Sequence, residues 1–278
     1  MKNILLALLL TLPTLLFAQK RAYSTNDSLF VETILQKFSH AEYNGKLVMD
    51  IAEEFLGRKY TAGTLDKNNE ERLVINTENI DCTTFVETVV AIATTIKEGG
   101  NFAVFCNNLQ KLRYKGGIID GYASRLHYIT QWASDAREKG ILSEVTRCAL
   151  SRNAVLNLCY MSRNPEKYPQ LKENAALQRK IEESEKPFQG IEVPYIPKEH
   201  LLKDNASLPI ADGDIIALTT DIQGLDVLHV GFAFWKEGKL HLLHASSGEG
   251  KVIKESRTLF DYLKNKKRHT GVRVFRLQ

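Results

Sequence analysis

The run from residue 79 to 96 constrains this 278-residue chain more than any other. Asp81 is a helix N-cap by residue type, and Phe85, Val86, Val89, Val90, Ala93 and Ile96 follow it at three- and four-residue steps. Such a stripe buries one face of a helix in a core and holds Cys82 in the first turn. A thiol there faces unpaired backbone N–H groups and the positive end of the helix dipole, and both favour the thiolate. A lone cysteine at a helix start is more often a small buried residue. Its chemistry therefore depends on what the rest of the chain brings to it.

Residues 227–235 and 239–247 are apolar runs on either side of a short polar break containing Gly238, the pattern of a β-hairpin. With a loop of residues 235–238, Phe234 pairs with Lys239 and His229 falls opposite His244. The two imidazoles then share one sheet face and His241 points to the other. A helix-borne thiol and two facing histidines are the parts of an activated cysteine nucleophile. One imidazole takes the thiol proton and the second orients the first.

Three segments in this order, Asp81-Cys82-Thr83-Thr84-Phe85-Val86-Glu87, His229-Val230-Gly231-Phe232-Ala233-Phe234 and Leu242-Leu243-His244-Ala245-Ser246-Ser247, resemble the NlpC-type papain-like hydrolases of bacterial peptidoglycan. The resemblance implies Cys82 as nucleophile, His229 as base and His244 as orienting residue. Tyr60-Thr61-Ala62-Gly63-Thr64-Leu65 and Ser124-Arg125-Leu126-His127-Tyr128 are similar to a branch of N-acetylmuramoyl-L-alanine amidases that act on soluble anhydro-muropeptides. From that likeness Tyr60, Asp81, Thr83, Arg125, His127, Tyr128 and Ser246 are expected to bind substrate. Tyr60 would assist the oxyanion or hold substrate, with a half-buried structural tyrosine as the competing reading. Arg125 would grip a carboxylate with two hydrogen bonds, or else serve a structural salt bridge.

The implied fold class is α+β: a papain-like cysteine hydrolase core, its nucleophile helix packed on an antiparallel sheet, with a large, mainly helical insertion. Element order agrees, since helical patterns precede residue 212 and strand patterns follow it. Helices are expected within 26–56, and the insertion spans about 101–208. Inside it, residues 171–185 are helical in pattern, and Pro187, Pro194 and Pro197 suggest an extended connector.

Residues 1–18 read as a signal peptide, a short basic end and an apolar run closing at Ala18. The mature chain, 19–278, is then a single exported domain, periplasmic or secreted, without stable membrane insertion and monomeric. A net charge of +4 is modest, and the basic run 264–268 lacks interleaved aromatics, so no nucleic-acid partner is expected. Glycine-rich 114–121 lacks the Lys-Ser/Thr ending of a phosphate loop. No Cys-x-x-Cys or His-x-x-x-His spacing supports zinc, and no cofactor is expected. With Cys82 free, Cys106, Cys148 and Cys159 leave an odd number, although Cys148 and Cys159 could pair.

The expected activity is hydrolysis of the amide between N-acetylmuramic acid, in its 1,6-anhydro form, and L-Ala of the stem peptide. Two rivals stand beside it. One is an endopeptidase cutting within the stem peptide beside D-Glu, and the other is a non-catalytic muropeptide-binding protein.

Overall fold

The computed structural model describes residues 21–68, 70–202 and 207–278. The signal-peptide reading of residues 1–18 falls outside them. In chain order, β1 (Arg21–Ala22), α1 (Thr25–Lys37), α2 (Gly45–Glu53), β2 (Lys59–Tyr60), β3 (Leu73–Val74) and β4 (Asn79–Ile80) lead into α3 (Cys82–Lys97). The middle of the chain forms α4 (Phe102–Arg113), α5 (Ile129–Glu138), β5 (Leu142–Glu144), β6 (Arg152–Asn157), α6 (Tyr160–Arg163), α7 (Ala175–Glu185) and β7 (Gln189–Pro197). The last part forms β8 (Ile215–Thr220), β9 (Val227–Lys236), β10 (Lys239–Ser246), β11 (Lys251–Lys254), α8 (Leu259–Leu263) and β12 (His269–Leu277).

Asp81 starts α3 by accepting the Thr84 N–H at 2.8 Å, while the Thr84 hydroxyl accepts the Asp81 N–H at 2.9 Å. This reciprocal box removes two orphan donors and stops the helix from starting earlier. Twelve of its sixteen residues are buried, so α3 is the central helix of the molecule and not a surface one.

The sheet runs β4-β2-β11-β10-β9-β8-β12-β7-β6, with β5 paired to β12. Strand alternation gives it two apolar faces. Ile215, Ala217, Val230, Phe232, Leu243 and Ala245 pack with α1 to α4, whereas Ile216, Leu218, Ala233, Leu240 and Leu242 pack with Leu259 and Leu263 of α8. Phe85 meets Phe55 and Phe232 edge-on, with ring centres 5.7 and 5.5 Å apart. Each such buried ring contributes about 1.5–3 kcal/mol of transfer free energy. The architecture is mixed α+β.

Residues 101–208, expected as a mainly helical insertion, carry α4 to α7 but also contribute β5, β6 and β7 to the sheet. The proline-containing connector is strand β7, paired along its length with β6 and at Ile196 and Pro197 with β12. Prolines at 194 and 197 obscured it, because they lack the N–H that a ladder uses. All four cysteines are free, including Cys148 and Cys159. Among the described residues no helix is long and apolar enough to cross a membrane.

Candidate active site

The hairpin of β9 and β10 turns in two residues, Glu237 and Gly238, both with positive φ (51° and 70°). Lys236 pairs with Lys239 and Phe232 with Leu243, so the register is two residues away from the expected one. Because side chains alternate with period two, a slip of two leaves every residue on its expected face. Gly231, rather than His229, is the residue across from His244. A Cβ on Gly231 would stand 2.8 Å from His244 Cβ. His229 reaches His244 diagonally, Nε2 to Nδ1 at 2.6 Å, with the rings edge to face at 4.8 Å. His244 is fully buried, and the Tyr262 ring of α8 lies against it at 5.5 Å. His241 faces the other way, stacked on Phe234, with Nδ1 against the Glu255 carbonyl.

At the start of β9 the ladder is irregular. Leu218 pairs with His229 and Thr219 with Val227, which leaves Leu228 as an extra residue beside the histidine. Bulges of this kind re-aim side chains next to functional clefts. Here Cys82, Thr83, His127, Asp226 and His229 line one cleft of about 90 Å³. The Cys82 thiol lies 4.0 Å from Thr83 Oγ1 and against the Val230 backbone amide. It has no hydrogen bond to His229 among the described residues. With Nε2 of His229 engaged by His244, its Nδ1 is the nitrogen left to meet a thiol proton.

The resting charge state differs from the thiolate that the helix start alone suggests. Burial, reinforced by the Asp81 carboxylate, pushes the Cys82 thiol up to about 11. Burial, followed by His244, His269 and Lys266, pulls His229 down to about 3. Excluding water penalises every charged form, and this outweighs the N–H groups of the helix start. At neutral pH the pair is a neutral thiol beside a neutral imidazole.

The residues expected to bind substrate divide into two groups. Tyr60 and His127 remain near the thiol. Burial, then Cys82 and Asp81, raises the Tyr60 phenol to about 12, so it is a hydrogen-bond donor at neutral pH. His127 Nε2 lies 2.9 Å from the Tyr122 carbonyl and must donate to it. Burial and then Arg125 hold this imidazole down to about 3, hence neutral. Thr83 lines the cleft. The others are engaged within the protein. Asp81 caps α3, and Ser246 Oγ accepts the Glu249 N–H at 3.2 Å. Arg125 is not an open carboxylate grip, because it already holds Glu71 with two nitrogens and Asp66 with a third. Nor does the Tyr128 hydroxyl face substrate. It donates to Glu185 at 2.6 Å and accepts the Met161 N–H at 2.8 Å, with the residue 2 % exposed. Among the described residues no group of three His, Cys, Asp or Glu side chains is placed to hold a metal ion.

A family model described as AmiA-like, N-acetylmuramoyl-L-alanine amidase-like, matches residues 50–272. The chain belongs to this family. It is 41% identical to an N-acetylmuramoyl-L-alanine amidase from Bacteroides uniformis, over 84% of this chain and 98% of that one, with a TM-score of 0.80. It is 43% identical to a Bacteroides fragilis protein provisionally named a xylanase, over 82% of this chain and 99% of that one, with a TM-score of 0.77. A Legionella pneumophila protein shares the fold at 22% identity and a TM-score of 0.70, over 91% and 94% of the two chains. No curated protein sequence matches it.

Two residues of this candidate site carried no signal in the sequence. Asp226 is a buried wall of the cleft, accepting the Thr130 N–H at 2.6 Å and the Val227 N–H at 2.8 Å. It staples the start of α5 to the start of β9, and so fixes His127 relative to His229. Tyr262 covers His244 from a five-residue helix. Neither position falls in a motif or at a diagnostic spacing, and both depend on contacts with remote segments.

Proposed function

We propose that this amidase-like protein is a cysteine hydrolase with a papain-like core that cleaves the amide between 1,6-anhydro-N-acetylmuramic acid and L-Ala. The observation that carries the cysteine reading is the 2.6 Å contact of His229 with His244 beside the cleft that His229 shares with Cys82. The bond chosen follows from the amidase-like family and from the Bacteroides uniformis neighbour's name.

As Cys82 Sγ attacks the lactyl carbonyl carbon, its proton passes to His229 Nδ1. His229 then donates from Nε2 to His244 Nδ1, which steadies the imidazolium. N–H groups near the start of α3 and the Tyr60 hydroxyl take the developing oxyanion. Collapse of the tetrahedral intermediate breaks the C–N bond, and the His229 proton goes to the departing L-Ala nitrogen. Neutral His229 next deprotonates water, which hydrolyses the thioester and returns the proton to sulfur. No charge needs to be stored in the resting cleft, which suits its neutral thiol and imidazole.

A glycosidase, the reading that the Bacteroides fragilis name suggests, needs two available carboxylates across the scissile bond. Asp81, whose charge acts on the thiol, and Asp226, which lines its cleft, are both engaged by backbone N–H groups. The apolar start of the chain supports export to the periplasm or beyond, with soluble wall fragments as the partner and a monomer as the working form.

The deciding experiment offers an anhydro-muramoyl tetrapeptide and weighs the products. Release of an intact tetrapeptide beginning with L-Ala is expected, with little clearing of whole sacculi. A dipeptide departing from a sugar that keeps L-Ala-D-Glu would make the protein an endopeptidase. Binding without turnover would make it a muropeptide-binding protein.

A further inference from the structure

The cleft at Cys82, about 90 Å³, accommodates little beyond the reacting amide, whereas small-molecule sites span about 300–1,000 Å³. One of its walls, Leu225 and Asp226, is also a wall of a second cavity of about 510 Å³ on the insertion side. This cavity exists because β7 pairs with β12 only through Ile196 and Pro197, and the rest of β7 pairs with β6 alone.

The shared wall is held at both ends. Asp226 takes the N–H groups of Thr130 and Val227. The Gly224 carbonyl accepts the N–H groups of Cys159 and Tyr160 at 3.1 and 3.0 Å, tying the wall to the start of α6. Gly224, with φ +82°, stands so close that a Cβ would meet Cys159 Sγ at 2.8 Å. Arg163, the last residue of α6, lines the cavity, as do Tyr195 and Gln223. The guanidinium of Arg163, the Tyr195 hydroxyl and the Gln223 amide have no protein partner among the described residues. The other charges are engaged, Asp221 with Arg268 at 3.5 Å, Arg273 with Glu144 at 2.8 Å, and Asp226 with the N–H groups of Thr130 and Val227. Arg163 is thus the one charged side chain lining the groove that has no protein partner among the described residues.

We propose that this groove is the subsite for an acidic peptide extending from the scissile amide, with Arg163 receiving one of its carboxylates. The inference rests on the amidase reading and names where the leaving peptide lies. Once its lactyl group is an amide, the sugar side of such a substrate is uncharged, so the carboxylates that an unpaired arginine selects belong to the peptide. The phenol of Tyr195 and the amide of Gln223 offer donors and acceptors to peptide N–H and C=O groups.

The test uses the whole protein and two substrates, an anhydro-muramoyl-L-Ala-D-Glu and the same compound with its glutamate carboxyls amidated. Arg163→Gln is expected to raise KM for the acidic substrate about tenfold, the effect of losing one charge-assisted hydrogen bond. It should leave kcat unchanged, and leave KM for the amidated substrate at the wild-type value. Equal KM values for wild type and Arg163→Gln on the acidic substrate overturn the subsite. If wild type releases no peptide from either substrate, the amidase reading is what fails. Calorimetry with the free peptide L-Ala-D-Glu-L-Lys then decides the subsite by itself. Weaker binding to Arg163→Gln than to wild type supports it, and equal binding or none overturns it.

Discussion

Gly231 lies directly across the hairpin from His244, so close that a single added methyl would sit 2.8 Å from His244 Cβ. Only a residue without a side chain lets His244 lie flat enough for its Nδ1 to meet His229 Nε2. Gly231→Ala is therefore expected to displace His244 and to cost about 1–3 kcal/mol of stability by overpacking. Turnover should fall about tenfold or more with the loss of orientation. Urea unfolding and steady-state kinetics check both, and wild-type kcat in this variant would falsify the orienting role of His244.

Removing the acting groups should separate nucleophile and base from orienter. Cys82→Ala and His229→Ala are each expected to abolish nearly all turnover, since the two act as one unit. His244→Ala should retain more, because water can replace part of its hydrogen bond to His229. Equal turnover in wild type and Cys82→Ala ends the nucleophile proposal.

The charge state of the thiol predicts its alkylation profile. With the Cys82 thiol raised to about 11 by burial and Asp81, the nucleophilic anion is scarce throughout the neutral range. Iodoacetamide labelling at Cys82, followed by peptide mass spectrometry, should be slow at pH 5–6 (~3 units below an ordinary thiol's midpoint) and should climb into alkaline pH. A fast plateau in mild acid would show a stored thiolate and imidazolium instead.

His127 links the cleft to acid stability. Its native value of about 3 lies below the ordinary 6.5, so the unfolded chain binds the proton first. Its contribution to stability is complete above about pH 6.5 and is lost as pH falls from there towards about 3. Each pH unit in that window costs about 1.4 kcal/mol, or about 2 kcal/mol by pH 5. His127→Gln keeps a donor for the Tyr122 carbonyl but does not titrate. The drop in unfolding free energy between pH 7 and pH 5 should therefore shrink by about 2 kcal/mol in the variant. An unchanged drop refutes the assignment.

Arg125 should behave as a fastener. Its side chain, 8 % exposed, joins Glu71 and Asp66, and Glu71 also accepts the Tyr114 hydroxyl at 2.7 Å. Arg125→Gln leaves Glu71 buried without its cation, which costs about 3–5 kcal/mol. Thermal unfolding should show that loss. A variant of wild-type stability whose only defect is a raised KM would restore the substrate-carboxylate reading.

How much of this was legible in the chain depends on the range of the physics involved. The Asp81 cap, the buried stripe of α3 and the alternation along β9 and β10 are local properties of consecutive residues. They placed Cys82 at a helix start and put His229 and His244 on one sheet face. That result survived a register two residues from the expected one, because strand alternation repeats every two residues. What only the tertiary structure decided depends on segments far apart in sequence. The extra residue at Leu228 arises from how β9 meets β8. Arg125 found its carboxylates more than fifty positions away. The neutral thiol is a consequence of water exclusion by the assembled cleft, whereas the helix start that favours a thiolate was readable from a few adjacent residues.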